Sequence, residues 1–438
     1  MGNETPATAS TSIETTDALE RAHHLLEETD RNVFISGKAG TGKSTFLANF
    51  RKTTTNNIAI VAPTGVAALN VQGQTIHSFF SIKPGLVDFR SFRPARNKKL
   101  FGNIDLLVID EISMVRADLF DAVEATLRKN NDKSLPFGGV QVCVIGDLFQ
   151  LPPVIRQEEK PFYNQTYSSP FFFASGNYHA ADFELVKFDK VFRQADNSFI
   201  HALNKVRVGH KGPDLLNYLN QRHQADLHDD PPPITLAATN AIADKINNEA
   251  LKALPGTGYL FKGALEGRFA VGKDRLPSPE KLTLKKGAQV MFTRNDIVKK
   301  RWVNGTIGTV SYVDEENIEV TVKQKNGRRR SFSLSPEKWV SYEYEFNEKK
   351  NKLEQKEVGS FTQFPLMLAW AVTIHKSQGK TLENVVVDLG RGAFAPGQVY
   401  VALSRCRSFE SLSLKNPLTP RDIWCDRSIL DFARSYYG

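Results

Sequence analysis

The sequence contains few cysteines, and none of them are spaced as zinc ligands. Cys143, Cys406 and Cys425 are the three cysteines among 438 residues, and no C-x-x-C pair or H-E-x-x-H run is present. A count this low excludes a disulfide framework, and the missing patterns exclude the common zinc signatures. The fold therefore has to be stabilised by a hydrophobic core.

Long apolar runs are also missing. The longest candidate, residues 365–374, is far shorter than the roughly 18 residues that span a bilayer. Residues 1–16 lack the basic region and the apolar core of a signal peptide, and Pro6 stands where a myristoylation site has Ser or Thr. We therefore expect an intracellular, cytoplasmic protein without signal or transmembrane segments and without a membrane partner.

The overall composition is that of a globular protein. Hydrophobic residues make up 41% and charged residues 24%, and 57 basic against 48 acidic side chains give a net charge of +9. These values exclude collagen-like, coiled-coil and wholly disordered chains. The length predicts roughly three packed units, and the basic surplus is compatible with a polyanionic partner.

Apolar runs alternate with helical patterns in much of the chain. The runs at 32–36, 58–62, 106–109 and 140–145 do not alternate with polar residues, which is typical of a parallel sheet covered on both faces. This pattern predicts a doubly wound α/β core, and a second α/β region begins near residue 182. Short β-rich segments with glycine turns at about 255–360 predict a small inserted β-barrel.

A glycine-rich segment follows the first apolar run. Residues 37–44, Gly-Lys-Ala-Gly-Thr-Gly-Lys-Ser, match G-x-x-x-x-G-K-[ST] between a predicted strand and a predicted helix. Glycines let backbone N–H groups surround β- and γ-phosphates, and the helix N-terminus adds a positive dipole end. In this pattern Lys43 supplies a charge to the phosphates and Ser44 a hydroxyl to Mg²⁺.

Polar side chains follow two further strands. After the run 106–109, Asp110 would hold Mg²⁺ and Glu111 would orient and deprotonate the attacking water. Taken alone, such a pair is equally typical of a helix N-cap, but its position after the phosphate loop favours catalysis. After the run 142–145, Gln150 is our choice for a γ-phosphate sensor, whereas Asp147 is equally compatible with a helix cap.

Further motifs occur along the chain together with the phosphate loop, the acidic pair and the Gln150 segment. The complete series resembles that of superfamily-one helicases, specifically the petite-integration-frequency (Pif) family of 5′-to-3′ DNA helicases. The similarity runs from about residue 31 to 410, and residues 118–123 resemble the family's signature stretch. The matching segments are 37–44, 62–68, 75–80, 110–114, 146–153, 192–194, 373–381 and 398–407.

The resemblance implies an α/β fold with two RecA-like, doubly wound parallel-sheet domains. It also implies a small wedge insertion and a β-barrel insertion of the Src-homology-three-like type. We expect a disordered tail at 1–14. The other expected boundaries are 15–80 and 104–160 for the first RecA-like domain, 81–103 for the wedge, 161–254 and 361–438 for the second RecA-like domain, and 255–360 for the barrel.

The resemblance also implies that ATP lies between the two RecA-like domains. Arg193 and Arg405 would reach across the cleft and stabilise the transferring phosphoryl group only when the domains close; a surface salt bridge is the alternative for each. The implied catalytic residues are Lys43, Glu111, Gln150, Arg193 and Arg405. ATP would contact Gly37, Ala39, Gly40, Thr41, Gly42, Lys43, Ser44, Thr45, Gln150, Arg193, Gly379 and Arg405, and Mg²⁺ would contact Ser44 and Asp110.

Single-stranded DNA would cross both domains, held by cations and aromatic faces. Segment 88–101 interleaves phenylalanines with arginines and lysines at the position of the family's strand-separating wedge. A solvated basic loop with locally packed phenylalanines is equally compatible with this segment. The residues expected to contact DNA are Pro63, Thr64, Gly65, His77, Phe79, Arg93, Val154, Asn240, His375, Lys376 and Gln378.

The implied activity is that of an ATP-dependent 5′-to-3′ DNA helicase that uses ATP and Mg²⁺. It would translocate on single-stranded DNA as a monomer and unwind forked or 5′-tailed duplexes in DNA repair, replication or genome maintenance, including telomere maintenance. Quadruplex DNA and RNA–DNA hybrids are further candidate substrates. The compact length suggests a bacterial or phage-like version. The alternative is a single-strand translocase or remodelling ATPase without strong unwinding, while a GTPase-type switch is disfavoured because no N-K-x-D motif occurs.

One feature departs from the family pattern. The family usually carries a glutamine upstream of the phosphate loop that reads adenine. Here no glutamine precedes Gly37, and Glu20 or its neighbours occupy that region. The resemblance therefore leaves the nucleotide selectivity open, and other nucleoside triphosphates are candidate substrates.

Overall fold

A six-stranded parallel sheet organises the first lobe. The computed structural model describes residues 16–194, 196–227, 231–269, 276–296, 298–324 and 327–437, so the predicted tail at 1–14 lies outside the described residues. The strands pair in the spatial order Gln74–Thr75, Ile58–Ala62, Leu106–Ile109, Gln141–Gly146, Val33–Gly37 and Glu184–Phe188. The four inner strands are almost entirely buried, which explains why their apolar runs do not alternate.

A four-stranded parallel sheet forms the second lobe. Its strands pair in the order Ala371–Thr373, Ile234–Ala237, Val385–Asp388 and Leu412–Leu414. Two parallel-sheet lobes confirm the α/β fold class expected from the sequence. A continuous apolar core includes Phe34 of the first sheet and Val385 of the second.

Helices cover both lobes. The first, Asp17–Glu28, begins where the Thr16 hydroxyl accepts the backbone N–H of Leu19, and it packs Ala22 and Leu26 onto the first sheet. The other α-helices are Lys43–Thr53, Gly65–Asn70, Ile76–Phe79, Lys98–Phe101, Ala117–Asn130, Lys160–Tyr163, Gly176–Ala180, Asn197–Arg207, Pro213–Asn220, Asn240–Ala253, Gln398–Leu403 and Arg427–Tyr437, and 3₁₀ turns lie at Ile112–Met114, Pro136–Gly139 and Phe172–Ala174. Within the described residues, no helix is long and apolar enough to span a membrane.

Antiparallel strands interrupt the second lobe. They form sheets in the orders Arg329–Leu334, Ile318–Lys323, Ile307–Val313, Gln289–Phe292 and Leu366–Leu368; Glu337–Asn347, Lys352–Gln363 and Ala264–Gly267; and Lys281–Leu284 with Tyr259–Lys262. One core that includes Trp302 and Phe292 joins the two-stranded and five-stranded sheets. This β-rich unit begins close to the predicted residue 255, but it continues through Leu368 rather than ending at 360.

A long hairpin of the β-rich unit lies against the first lobe. Its strands, Glu337–Asn347 and Lys352–Gln363, carry Tyr344 to the edge of the first sheet. There the Tyr344 hydroxyl accepts the backbone N–H of Ile60 at 3.0 Å. Among the strands that the structure describes, Gln74–Thr75 pairs with Val61 and Ala62 alone, so the hairpin covers an edge that this short strand leaves open.

The predicted boundary between the lobes at residue 160 is wrong. Strand Glu184–Phe188 pairs with Val33–Gly37 in the first sheet, and Phe172 packs against Phe34. The second lobe therefore begins after this strand. The sequence predicted a second α/β region from near residue 182, because local patterns carry no information about which of two parallel sheets a strand joins.

Candidate nucleotide site and nucleic-acid interface

The phosphate loop adopts a conformation that glycine makes possible. It connects strand Val33–Gly37 to helix Lys43–Thr53, and Gly40 and Gly42 have φ of 80° and 87°. The Lys43 ammonium donates to the backbone carbonyls of Gly37 and Lys38 at 2.6 and 2.9 Å. Burial lowers the pKa of Lys43, and the nearby carboxylates of Asp147 and Glu111 partly oppose this shift. The cation is thus folded back into the loop where phosphates would bind.

The acidic pair lies at the end of strand Leu106–Ile109. Glu111 has a left-handed backbone, with φ of 51°, a conformation that non-glycine residues rarely adopt and that often occurs at functional sites. Burial raises the pKa of Asp110, and burial together with Asp110 raises that of Glu111 to about 7. A carboxyl group with a pKa near 7 is suited to accept a proton from water.

Gln378 lies inside this site. Its side-chain amide donates to Glu111 Oε2 and to Gln150 Oε1, both at 3.2 Å. Gln378 was predicted from the sequence to contact DNA, whereas in the structure its amide contacts two groups of the nucleotide site. Gln378 belongs to the second lobe, so it joins the two lobes at the predicted catalytic residues.

Two arginines occupy the second-lobe side of the cleft. Arg405 is 1% exposed and donates to Val401 O, Ser404 Oγ and Lys380 O at 3.0, 2.9 and 3.3 Å. Arg193 donates to Ser404 O at 3.1 Å. Burial and the neighbouring Arg405 lower the pKa of Arg193 to about 9.

The carboxylates of Glu111 and Asp147 favour the charged form of Arg405 without forming a short contact with it. No ion pair joins either arginine to a carboxylate among the residues that the structure describes. Arg193 and Arg405 disfavour each other's charged forms, and an anion such as a triphosphate would stabilise both guanidinium groups.

One cavity of about 1000 Å³ brings these groups together. Of the predicted nucleotide contacts, Gly37 does not line it; a Cβ on Gly37 would lie 2.5 Å from Thr41 Oγ1, so this glycine makes room for the loop. The predicted residues that do line the cavity are Ala39, Gly40, Thr41, Gly42, Lys43, Ser44, Thr45, Asp110, Glu111, Gln150, Arg193, Gly379 and Arg405.

The cavity extends beyond the phosphate loop along helix Asp17–Glu28. Leu19, Glu20, His23 and His24 of that helix line it, with Asn49 of the helix that follows the loop. These side chains would surround the base of a bound nucleotide. The missing glutamine directed attention to Glu20 from the sequence, but no sequence pattern identified the histidines.

The residues at the loop fit a magnesium ion. Ser44 and Asp110 line the same cavity, and a hydroxyl and a carboxylate are hard oxygen donors of the kind that Mg²⁺ prefers. A bound Mg²⁺ would neutralise charge on the phosphate oxygens. The buried Asp110, whose ionised form is disfavoured without a nearby cation, is consistent with this assignment.

Several predicted DNA contacts lie at the carboxyl ends of strands. Thr64 follows strand Ile58–Ala62, Asn240 follows Ile234–Ala237 and His375 follows Ala371–Thr373. Thr64 also begins a helix, because its hydroxyl accepts the backbone N–H of Ala67 at 3.2 Å. Pro63, Thr64 and His77 are half-buried, and the exposed members are Arg93, Val154, Asn240, His375 and Lys376.

Two predicted DNA contacts are buried. Phe79 is 4% exposed, and its ring packs edge-on against Phe101 and Tyr344. Phe79, which the sequence predicted to contact DNA, is not accessible in this structure, because the hairpin of the β-rich unit covers the ring. Gly65 is also buried within its helix.

The predicted wedge segment 81–103 is partly integrated in the first lobe. Phe101 is buried and stacks on Phe80, whereas Phe89 and Phe92 are in edge contact with each other. Asp118, in the signature stretch, accepts the backbone N–H of Val87 at 2.9 Å. The signature stretch therefore anchors one end of this segment and helix Lys98–Phe101 the other.

The fold and this cavity define a class: a two-lobed hydrolase of nucleoside triphosphates in which a phosphate loop faces two arginines. Comparison with known proteins specifies the family. The model of the PIF1-like helicase family matches residues 12–211. The ATP-dependent DNA helicase Pif1 of Bdellovibrio bacteriovorus is 35% identical over 94% of this chain and 90% of its own length. The chain belongs to the PIF1-like helicase family.

Solved structures of similar proteins cover nearly the whole chain. Bacteroides Pif1 in complex with ADP-AlF4 is 34% identical with a TM-score of 0.86, over 97% of this chain and 98% of that one. Bacteroides Pif1 bound to single-stranded DNA has the same identity and coverage but a TM-score of 0.70. Longer relatives also exist, and the chain spans 62% and 60% of two of them.

Proposed function

We propose that this chain is an ATP-driven DNA helicase that moves 5′-to-3′ on single-stranded DNA and unwinds tailed or forked duplexes. One observation carries the proposal: a single cavity contains the phosphate loop, the acidic pair and Gln150 of the first lobe together with Arg193 and Arg405 of the second. Membership of the PIF1-like helicase family supports the nucleic-acid substrate.

The chemistry follows from which lobe supplies each group. Lys43 and the loop N–H groups bind the phosphates, and Glu111 accepts a proton from the attacking water. The two arginines stabilise charge on the transferring phosphoryl group, and they do so only when the second lobe is closed on the first. Hydrolysis is thereby coupled to lobe closure, and lobe closure to a step along the strand.

Strand binding involves the surface at the carboxyl ends of the strands of both lobes. Thr64 and His77 would contact the strand from the first lobe, and Asn240, His375 and Lys376 from the second. Each of these side chains is exposed or half-buried. Because the track crosses the cleft, a change in lobe separation changes the distance between the two sets of contacts.

Substitution of Lys43 tests this function. Lys43→Ala should abolish ATP hydrolysis and the unwinding of a 5′-tailed duplex, because the phosphates lose their cation, while single-strand binding persists. Chelation of Mg²⁺ should have the same effect on the unchanged protein. Unwinding by the Lys43→Ala protein would show that the phosphate loop is not the site of energy conversion.

The second candidate is a translocase without strong unwinding. It is favoured by the exposed part of the wedge segment, where Phe89 and Phe92 pack on each other. A forked-duplex assay beside a single-strand translocation assay separates the two functions. Translocation at a normal rate with no strand separation would favour the second candidate.

A further inference from the structure

A tyrosine of the second lobe reaches the first lobe beside the nucleotide cavity. Tyr400 lies in helix Gln398–Leu403 and is buried. Its hydroxyl donates to Asp147 Oδ2 at 3.0 Å and accepts the backbone N–H of Ala39 at 3.2 Å. Ala39 belongs to the phosphate loop, and Asp147 follows the neighbouring strand Gln141–Gly146. One oxygen atom of the second lobe therefore bonds two separate parts of the nucleotide site.

An arginine of the second lobe also binds the Asp147 carboxylate. Arg207, at the end of helix Asn197–Arg207, donates from Nη2 to Asp147 Oδ1 at 2.8 Å, and its guanidinium lies 3.9 Å from the centroid of the Phe149 ring. Burial alone would raise the pKa of Asp147, but Arg207, Lys43 and Tyr400 hold it below its ordinary value. Asp147 is thus a buried anion with partners on several sides, as such a charge requires.

Asp147 also adjoins the predicted catalytic side chains. Gln150 Nε2 lies 3.4 Å from Asp147 Oδ2, and Gln150 Oε1 accepts from Gln378, which also donates to Glu111. The contacts form a chain from Tyr400 through Asp147, Gln150 and Gln378 to Glu111. Tyr400 and Gln378 come from the second lobe and the other three from the first, so the chain crosses the cleft at three of its four links.

We propose that Tyr400 is a positioning residue for ATP hydrolysis. Its hydroxyl fixes the phosphate loop at Ala39 and orients Asp147, and through Asp147 it places Gln150 when the lobes are closed. The inference rests on the proposed function, because it assigns a role within the same hydrolysis. A tyrosine that only filled space would need its ring, whereas the positioning role needs the hydroxyl; Tyr400→Phe separates the two.

The experiment compares steady-state ATP hydrolysis of Tyr400→Phe with the unchanged protein at saturating single-stranded DNA. We expect kcat to fall about tenfold, because the Ala39 N–H and the Asp147 carboxylate each lose a buried partner. KM for ATP should change less than about twofold, since the hydroxyl does not line the cavity. In an Asp147→Asn background the same substitution should lower kcat less than it does in the unchanged protein, because only the contact with Ala39 then remains to be lost.

Tyr178→Phe is the matched control. The Tyr178 hydroxyl is paired with that of Tyr436 at 2.8 Å, and its ring packs among Phe172 and Phe183 rather than at the cavity. Like Tyr400→Phe, the Tyr178→Phe substitution removes one buried hydroxyl, so it shows how a loss of stability alone affects kcat. We expect its kcat to match that of the unchanged protein.

Three results would overturn the inference. They are an unchanged kcat in folded Tyr400→Phe, an equal loss in the Tyr178→Phe control, and a rise in KM with kcat unaltered. If Tyr400→Phe does not fold, Arg207→Lys provides the test, because it weakens the binding of the Asp147 carboxylate that Tyr400 orients. An unchanged kcat in Arg207→Lys overturns the inference as well. Absence of single-strand-stimulated ATP hydrolysis in the unchanged protein would instead contradict the proposed function.

Discussion

At the residue scale, Arg405 combines deep burial with a position in the nucleotide cavity. Three of its contacts are to oxygen atoms of its own lobe, so the guanidinium is held in one orientation. We predict that Arg405→Lys lowers kcat for ATP hydrolysis at least about 100-fold, because lysine keeps the charge but cannot reproduce this planar donor set. The measurement is single-strand-stimulated phosphate release.

Arg391→Lys is the control for this prediction. Arg391 is an exposed arginine of the same lobe that does not line the nucleotide cavity, and the exchange should leave kcat unaltered. A loss below threefold in Arg405→Lys would mean that Arg405 serves the packing of its lobe rather than the transferring phosphoryl group.

The base end of the cavity leads to a prediction on nucleotide choice. Glu20 can accept hydrogen bonds but cannot donate them when ionised, so it cannot read adenine through a donor–acceptor pair as an amide does. We expect kcat/KM for ATP and GTP to lie within about tenfold of each other, as a site without paired base contacts allows. Steady-state hydrolysis of both nucleotides checks this. A preference for ATP above about 100-fold would show that His23, His24 or Asn49 supplies the missing donor.

Sequence motifs predicted most of the nucleotide site, because chemistry fixes residue types at short spacings there. Lys43, Ser44 and the acidic pair all lie in the cavity. Tyr400 and Arg207 were not predicted, since their partner Asp147 is distant in sequence and no local spacing encodes the contact. The contacts of Gln378 with Glu111 and Gln150 were not predicted for the same reason.

At the element scale, the long hairpin contributes to the stability of the first lobe. The Tyr344 hydroxyl is the hydrogen-bond acceptor for the buried N–H of Ile60 at the sheet edge. We predict that Tyr344→Phe lowers the free energy of unfolding by about 1–3 kcal/mol, because a buried donor loses its partner. Denaturant or thermal unfolding measures this loss.

Tyr312→Phe is the matched control for the hairpin. Tyr312 is 53% exposed and bonds the exposed Asp314, so its loss should change the free energy of unfolding by less than about 0.5 kcal/mol. Equal effects of the two substitutions would mean that the hairpin contact adds nothing to the stability of the sheet edge.

Element types were easier to predict than element partners. The apolar runs at 58–62 and 106–109 are strands as expected. Sheet membership of Glu184–Phe188 and the length of the hairpin depend on contacts between distant segments. Local patterns do not contain that information.

At the scale of the whole molecule, the arrangement resembles one state of a similar helicase more than another. The TM-score is 0.86 against Bacteroides Pif1 with ADP-AlF4 and 0.70 against the same protein bound to single-stranded DNA. Since sequence identity and coverage are equal in the two comparisons, the difference reflects how the parts of the molecule are arranged. Phe79 is buried under the hairpin in this arrangement of the molecule, which resembles the ADP-AlF4 complex more than the DNA-bound one.

The basic surplus leads to a prediction on salt dependence. The logarithm of single-strand affinity should fall with the logarithm of salt concentration by about 0.7 for each neutralised phosphate. Lys376→Gln should reduce the slope by about 0.7, because Lys376 is exposed beside the predicted track. Lys133→Gln, at an exposed loop that precedes strand Gln141–Gly146, should leave the slope unchanged. Equal slopes for all three proteins would remove Lys376 from the interface.

Closure of the two lobes on ATP should produce movement in one direction along a single strand. Unwinding of 5′-tailed and 3′-tailed duplexes of identical sequence, with ATP and Mg²⁺, tests it most directly. We expect efficient separation of the 5′-tailed substrate and little of the 3′-tailed one. Equal unwinding of both, or a preference for the 3′ tail, would contradict it.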